Sequence, residues 1–428
     1  MMIDLSWGQA EEWSWIREMN REPERWVVVG DVLPQGTKSK DELAMHIREL
    51  CADFELQRWV LVQTRSGMAG LQAGSFPIPV TDTTLRGSRD WAVRVIHNRF
   101  TVGSWRIQLD AAPVQFFTYE REDGIYSAVI AASHMFADAA GLKAFTQQLS
   151  RRIANTSQAG RTMQILPLSS VLEHENRRLH SRRSKLNAQQ SASSLLEYES
   201  YWSGFEWERL RVREKGTAIY SLPISRTSRL INSNPTSILL MCIGAAWREC
   251  IRAPKDLRVP MSLLHRRASP VPGAAYMGPG NVNLTLPATE LQLPVLSGVF
   301  ASKLWRTLLN EARASEHHPL DFDSNLNLDR ARSLRARSLR LNVRRNANEL
   351  GRASSGEVLE VQGASFELEI VPEVARAFVD LSFADEWISL RWDLPRAREP
   401  RDATKSFGGV LNSLLENLVG RSTEARID

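Results

Sequence analysis

The stretch Ser133-His134-Met135-Phe136-Ala137-Asp138-Ala139-Ala140-Gly141 decides how this chain is read, together with what flanks it. Before it, Ile125 to Ala132 is nearly all apolar or small, the pattern of a strand covered on both faces. After it, Leu142, Phe145, Leu149 and Ile153 recur at helical spacing. His134 is therefore expected in a tight connection between a buried strand and a helix. Imidazoles titrate near neutrality, so one held rigidly at a strand end can take a proton from an incoming nucleophile. Asp138, four residues on, is placed to fix the loop or to pair with a basic residue on a neighbouring element. The small residues at 139–141 let a backbone or a substrate approach closely. On spacing alone the plain reading is a histidine satisfied within a turn.

Outward from this stretch the chain alternates strands and helices. Trp105 to Leu109, Val114 to Tyr119, the turn Arg121 to Gly124 and Ile125 to Ala132 read as a hairpin or meander. Towards the amino terminus, Ser6 followed three residues later by Gln9 is a helix-capping pair, and a helix is expected through about Met19. Trp26 to Val29 and Trp59 to Gln63 are short β-rich runs, with an amphipathic helix from Lys40 to Phe54 between them. Towards the carboxyl terminus, the polar and basic segment 173–195 reads as a crossover. Beyond it come an aromatic-rich helix (Leu196 to Trp207), a helix opening near Asn234 and a strand at Leu257 to Leu263. A Gly/Pro-rich turn (Pro270 to Gly280) then leads into the strand Val282 to Leu286, and the end holds a strand (Trp387 to Trp392) and a helix (Phe407 to Leu418). The expected division is a first lobe at 1–172, a linker at 173–195 and a second lobe at 196–428.

Composition narrows the function classes. The chain has 428 residues, 43% hydrophobic and 24% charged, with enough length for two buried cores and none of the bias of disordered or repetitive proteins. A net charge of +5 is too small for bulk nucleic-acid binding. Three cysteines without a CxxC pair suit a reducing compartment and argue against a structural zinc site, so a cytoplasmic protein without a bound metal is expected. The longest apolar run, Ile238 to Trp247, is half of the roughly 20 residues that a membrane span needs. Asp321 to Asp329 mimics a calcium loop, but Leu326 stands where the turn needs Gly and Arg332 where the bidentate Glu belongs. The arginine-rich stretch Arg330 to Arg345 reads first as a solvated helix face, with docking of an acidic carrier or a coenzyme phosphate as the alternative.

Taken in order, several segments are similar to the condensation-domain and acyl-CoA-dependent acyltransferase superfamily, relatives of chloramphenicol acetyltransferase. Ser6, Gln9 and Trp13 resemble the family's SxxQxxxW opening, and Tyr126 to Leu149 its strand, HHxxxDG loop and helix. Tyr198 to Gly204 resembles the helix that opens its second half, Pro235 to Arg248 its long buried helix, and Leu257 to Leu264 with Gly278 to Pro287 its paired strands. The resemblance spans about Leu5 to Leu418. It implies an α/β fold of two chloramphenicol-acetyltransferase-like lobes in a V, with an active-site channel between them. The implied activity is that of a stand-alone acyltransferase joining an acyl or aminoacyl group to an acceptor in natural-product (nonribosomal peptide-like) assembly. No tightly bound cofactor is implied. The donor is a phosphopantetheine thioester on an acyl or peptidyl carrier protein or on coenzyme A, the acceptor is a small-molecule amine or alcohol, and the protein is a monomer.

Residue by residue, the resemblance makes His134 the general base and gives Asp138 a structural role through a salt bridge, with Arg266 and Arg267 as candidate partners. Gly141, Asn281 and Asn283 are the implied contacts to the oxyanion and the donor. Ser133 stands where the family has its first histidine, and Ala139 where it has the glycine after the aspartate. These departures keep two alternatives open: a noncatalytic module that recruits a carrier or a tailoring enzyme, and the same fold used for elimination, cyclisation or hydrolysis.

Overall fold

The computed structural model describes residues 2–18, 27–31, 36–63, 69–101, 104–154, 164–179, 181–202, 215–223, 235–250, 253–254, 256–266, 271, 274–288, 298–323, 339–344, 365–367, 378–383, 387–395, 410–411 and 413–414. In chain order the first elements are β1 (Met2–Ile3), α1 (Trp7–Glu18), β2 (Val27–Asp31), α2 (Lys40–Asp53), β3 (Trp59–Gln63), β4 (Ala69–Ala73), β5 (Val80–Arg86) and α3 (Arg89–Thr101). There follow β6 (Val114–Glu120), β7 (Tyr126–Ser133), α4 (Ala139–Ile153), α5 (Leu168–Leu179), α6 (Arg182–Trp202), β8 (Lys215–Pro223) and α7 (Pro235–Cys250). The last are β9 (Pro260–Arg266), β10 (Asn281–Pro287), α8 (Gly298–Ala314), α9 (Pro319–Asp323), β11 (Leu339–Arg344), β12 (Ser365–Glu367), β13 (Phe378–Phe383) and β14 (Trp387–Pro395). Among the described residues no helix is long and apolar enough to cross a membrane.

Two compact units divide the chain. One comprises Met1–Ser181, Arg266–Val282 and Gly351–Val371, the other Arg182–His265, Asn283–Leu350 and Pro372–Asp428. The passage between them at 181/182 falls inside the predicted linker, but that segment is helical, formed by the end of α5 and the start of α6. The second half of the chain also returns twice to the first unit, so residues 196–428 do not make up one unit.

The first unit is built on the sheet β12-β2-β7-β6-β5. β7 runs antiparallel to both of its neighbours, β2 and β6. Ala128 to Ala132 are fully buried, as the unbroken run of small and apolar residues requires. Successive residues of β6 face opposite sides of the sheet. Phe116 meets Phe145 of α4 at 5.6 Å, and Phe145 in turn meets Phe54 beside α2 at 5.5 Å. Phe117 faces the other way, stacked on Trp105 at 4.6 Å and edge-on to Phe100 of α3 at 6.2 Å. Helices therefore cover both faces, and each fully buried phenylalanine contributes about 1.5–3 kcal/mol. A smaller sheet, β1-β4-β3, completes this unit.

One predicted strand is corrected. Trp105 to Leu109 is half-buried and alternates inward and outward as a strand does, but joins no ladder among the described residues. Its contacts include the stacked Trp105 ring, a Gln108–Ala112 bridge and the Leu109 carbonyl, which accepts the Leu61 N–H at 2.8 Å. Alternating burial marks a segment lying on a core, and only a partner backbone makes it a strand.

The second unit holds the sheet β10-β9-β11-β13-β14-β8. The helix α7 is apolar nearly all round, with Leu239 to Ile243, Ala246 and Trp247 buried. Its Arg248 donates to the carbonyls of Leu257 and Pro254, both at 2.6 Å, so the charge ends the helix against acceptors. The arginine-rich stretch is also corrected where it is described. Residues 339–344 are the strand β11, parallel to β9 and β13. Leu339 and Leu341, both fully buried, project to the same face of this strand. Residues 330–338 and Arg345 lie outside the described residues.

Candidate functional site

The site is built on the exit of β7. Ser133, its last residue, pairs with Val27 of β2, and its N–H donates to the Pro113 carbonyl at 2.9 Å. The chain then folds back at once. The Ser133 carbonyl accepts the N–H of Phe136 at 2.8 Å, and the Ser133 hydroxyl accepts the N–H of Met135 at 3.2 Å. A serine hydroxyl that bonds the amide two residues on tightens such a turn. Ser133 therefore has a clear local task at this position. Met135, Phe136 and Ala137 are fully buried and lock the turn from below, and His134 is itself 4% exposed.

Asp138 starts α4. Its backbone is extended, and its Oδ1 accepts the N–H of Gly141 at 2.7 Å, which caps the helix. The second oxygen, Oδ2, accepts the N–H of Gly280 at 2.9 Å. One buried carboxylate thus holds both the first turn of α4 and the end of the segment 274–280. That segment is pressed against the rest of the first unit elsewhere too. A Cβ on Gly141 would stand 3.4 Å from the Tyr276 carbonyl oxygen, and one on Gly8 would stand 1.6 Å from that of Pro279. Gly8, in the first turn of α1, is therefore a position where only glycine lets the two backbones approach.

α1 supplies the remaining wall. The predicted capping pair forms in both directions: Gln9 N–H donates to Ser6 Oγ at 3.2 Å, and Ser6 N–H donates to Gln9 Oε1 at 3.0 Å. Trp7 N–H donates to Glu175 Oε2 at 2.6 Å, tying α1 to α5. Trp7, Ala10, Trp13 and Ile16 are buried, and so are the two carboxylates between them, Glu11 and Glu12, each 6% exposed. Glu12 Oε2 lies 3.5 Å from Nδ1 of His134. Acidic side chains are almost never this buried without a charged or polar partner.

The predicted site residues stand as follows. His134 and Asp138 occupy one turn, and Gly141 closes the cap. The Gly141 amide, expected to face an oxyanion, is committed to Asp138; its single proton serves the cap. Both oxygens of Asp138 accept backbone amides, and the salt bridge expected for it rests on Arg266 and Arg267. Arg266 ends β9, and its side chain, like the whole of Arg267, lies outside the described residues. Asn281 and Asn283 lie on β10 with side chains outside the described residues. The backbone of Ala139 opens α4 directly after Asp138. Sequence reasoning missed Glu12 and the Gly280 amide. A pair of acids set among Trp7, Ala10, Trp13 and Ile16 was the one local signal available for the former. Among the described residues no group of three or more His, Cys, Asp or Glu is arranged to hold a metal ion.

No family model matches the sequence, and no curated protein matches it. Solved structures do. A condensation domain that mediates chain release from the enacyloxin polyketide synthase is 14% identical, with a TM-score of 0.64 over 98% of this chain and 82% of its own. The first condensation domain of the CDA synthetase is 13% identical, with a TM-score of 0.57 over 98% of this chain and 96% of its own. The epimerization domain from the third module of tyrocidine synthetase B is 11% identical, with a TM-score of 0.59 over 99% of this chain and 98% of its own. The chain has the condensation-domain fold.

Proposed function

We propose that this chain is a condensation-type acyltransferase, with His134 as general base. It moves an acyl or aminoacyl group from a phosphopantetheine thioester, on a carrier protein or coenzyme A, to an amine or hydroxyl acceptor. The observation that carries this reading is the His134 imidazole itself: a buried ring at the end of a central strand, in a turn held by Ser133 and Asp138. Rigid placement of this kind is what a general base needs, since its effect depends on distance and angle to the proton it removes.

In the proposed reaction, His134 takes a proton from the acceptor nitrogen or oxygen as that atom attacks the thioester carbonyl carbon. The carbonyl oxygen becomes an oxyanion, for which the side chains of Asn281 and Asn283 are the proposed donors. The C–S bond then breaks, and the proton on His134 passes to the departing sulfur. The products are an amide or ester and a free phosphopantetheine thiol. A thioester is already activated, so one base and the orientation of two partners meet the chemical need. Asp138 acts through the loop by keeping the turn after His134 and the segment ending at Gly280 in register. The similar structures come from a polyketide synthase and from synthetases, which supports a role in assembling a product of that kind.

The test is the mass of the product. An acyl carrier protein loaded with hexanoyl-phosphopantetheine is incubated with the protein and a panel of primary amines and alcohols, and both carrier and small molecules are weighed by mass spectrometry. Transfer adds hexanoyl to the acceptor and leaves a free thiol on the carrier. Hexanoic acid in place of the adduct would make the protein a hydrolase, and capture of the loaded carrier without loss of its acyl group would make it a recruiting module.

A further inference from the structure

We infer that Glu12 is the positioning residue for His134, its carboxylate selecting Nε2 as the ring nitrogen that acts as base. The inference rests on the proposed role of His134 and adds to it a partner on a different element.

The first argument is burial. Residues 5–14, through the first two turns of α1, are all buried, and a carboxylate in that setting is costly unless a positive or hydrogen-bonding group compensates it. Glu12 is 6% exposed, and the His134 ring lies against it with 3.5 Å between Oε2 and Nδ1. The second argument is rigidity. The position of Glu12 is set by the capping pair at Ser6 and Gln9, by Glu175 on the Trp7 amide and by Gly8 against Pro279. The ring is set by the turn that Ser133 closes. Neither partner depends on a surface loop to find the other.

The chemical consequence follows from which nitrogen the carboxylate faces. In the inferred pairing Nδ1 carries its proton on the side of the ring nearest Glu12, an ion-pair contact and not a formed hydrogen bond, and the lone pair is left on Nε2. When Nε2 takes the proton of the acceptor, the ring becomes an imidazolium whose charge lies beside the carboxylate. At 3.5 Å the contact is longer than a tight hydrogen bond of roughly 2.7–3.2 Å, so most of its attraction is gained when the ring is charged. An interaction stronger in the charged state than in the resting state lowers the barrier and not merely the energy of bound substrate. This is the logic by which a buried acid orients a histidine base in hydrolase triads, here reached from α1.

The test reads the ring directly. Histidines are labelled with 15N in the full chain, and the His134 ring signals are identified by their loss in His134→Gln. The expected result is that neutral His134 carries its proton on Nδ1 in the wild type and shifts towards the Nε2–H form in Glu12→Leu. In the hexanoyl-carrier assay, Glu12→Gln is expected to lower kcat by roughly 10- to 100-fold with KM within about twofold, part of the 10²–10⁴-fold that a placed base supplies, and Glu12→Asp to restore part of the loss. A wild-type ring protonated on Nε2, or ring signals unchanged in Glu12→Leu, overturns the inference, as does an unchanged kcat in Glu12→Gln. If Glu12→Leu fails to fold by circular dichroism, the wild-type tautomer decides. If the wild type transfers no acyl group, the base role of His134 falls, and the ring spectrum still decides the pairing.

Discussion

Removing the Asp138 carboxylate should loosen two places at once, and the structure says by how much. In Asp138→Ala, Gly141 loses the acceptor that caps α4, worth about 1 kcal/mol. Gly280, a buried residue, loses the acceptor for its N–H, and leaving such a donor unsatisfied costs about 1–3 kcal/mol. The sum is about 2–4 kcal/mol. For a unit of this size that corresponds to a fall in the unfolding midpoint of roughly 5–15 °C. Asp138→Asn separates the two parts. Asparagine caps a helix as well as aspartate, so its Oδ1 keeps Gly141, while its amide group turns a donor towards the Gly280 N–H. The order of stability is therefore wild type, then Asn, then Ala. Thermal unfolding followed by circular dichroism measures the totals. Hydrogen exchange resolves the sites: Ala should speed exchange at both Gly141 and Gly280, and Asn at Gly280 alone. Midpoints equal to that of the wild type, with both amides still protected, would refute the claim that this carboxylate ties the loop to the helix.

Three further outcomes are expected. Gly8→Ala should destabilise the first unit by about 3 kcal/mol, because the new methyl meets the Pro279 backbone, which cannot rotate away; a chemical-denaturation midpoint equal to that of wild type would contradict the close approach. Burial pushes the thiol of Cys242 up to about 12 and that of Cys51 higher still, so iodoacetamide at neutral pH should label neither in the folded protein and both after denaturation, as peptide mass mapping will show. Burial also holds the imidazole of His97 below its ordinary value of 6.5. The unfolded chain then binds a proton there before the folded one does, so this group's contribution to stability is present above about pH 6.5 and lost as the pH falls below it. His97→Gln should flatten the dependence of the unfolding midpoint on pH in that range, and an unchanged slope would remove the group from the account.

Features encoded over a few residues were legible in the sequence. The capping pair of Ser6 and Gln9 starts α1, the apolar run to Ala132 is a central strand, and the spacing of Leu142, Phe145 and Leu149 marks α4. The turn bearing His134 and Asp138 lies between two of these signals, so it could be placed without the fold. What escaped depends on partners far along the chain. β5 is mostly polar and is a strand because it pairs with β6, and the Gly-containing β4 is one because it lies between β1 and β3. Trp105 to Leu109 has strand-like alternation without a ladder. In β11 the arginines hide the inward leucines, and pairing with β9 and β13 decides the conformation. The site divides in the same way. Asp138 caps its own helix, a local act, but its second oxygen reaches Gly280, 142 residues on. Glu12 is equally remote from His134 in sequence, and only the packing of α1 brings the two together.

The most direct test of the central claim compares the initial rate of acyl transfer from the hexanoyl-loaded carrier to an amine acceptor in the wild type and in His134→Gln. Glutamine keeps a polar group beside Glu12, and circular dichroism verifies that the variant is folded. The account predicts a loss of roughly 100-fold or more in the rate of acyl-acceptor formation. Transfer at the wild-type rate in the folded variant would contradict it.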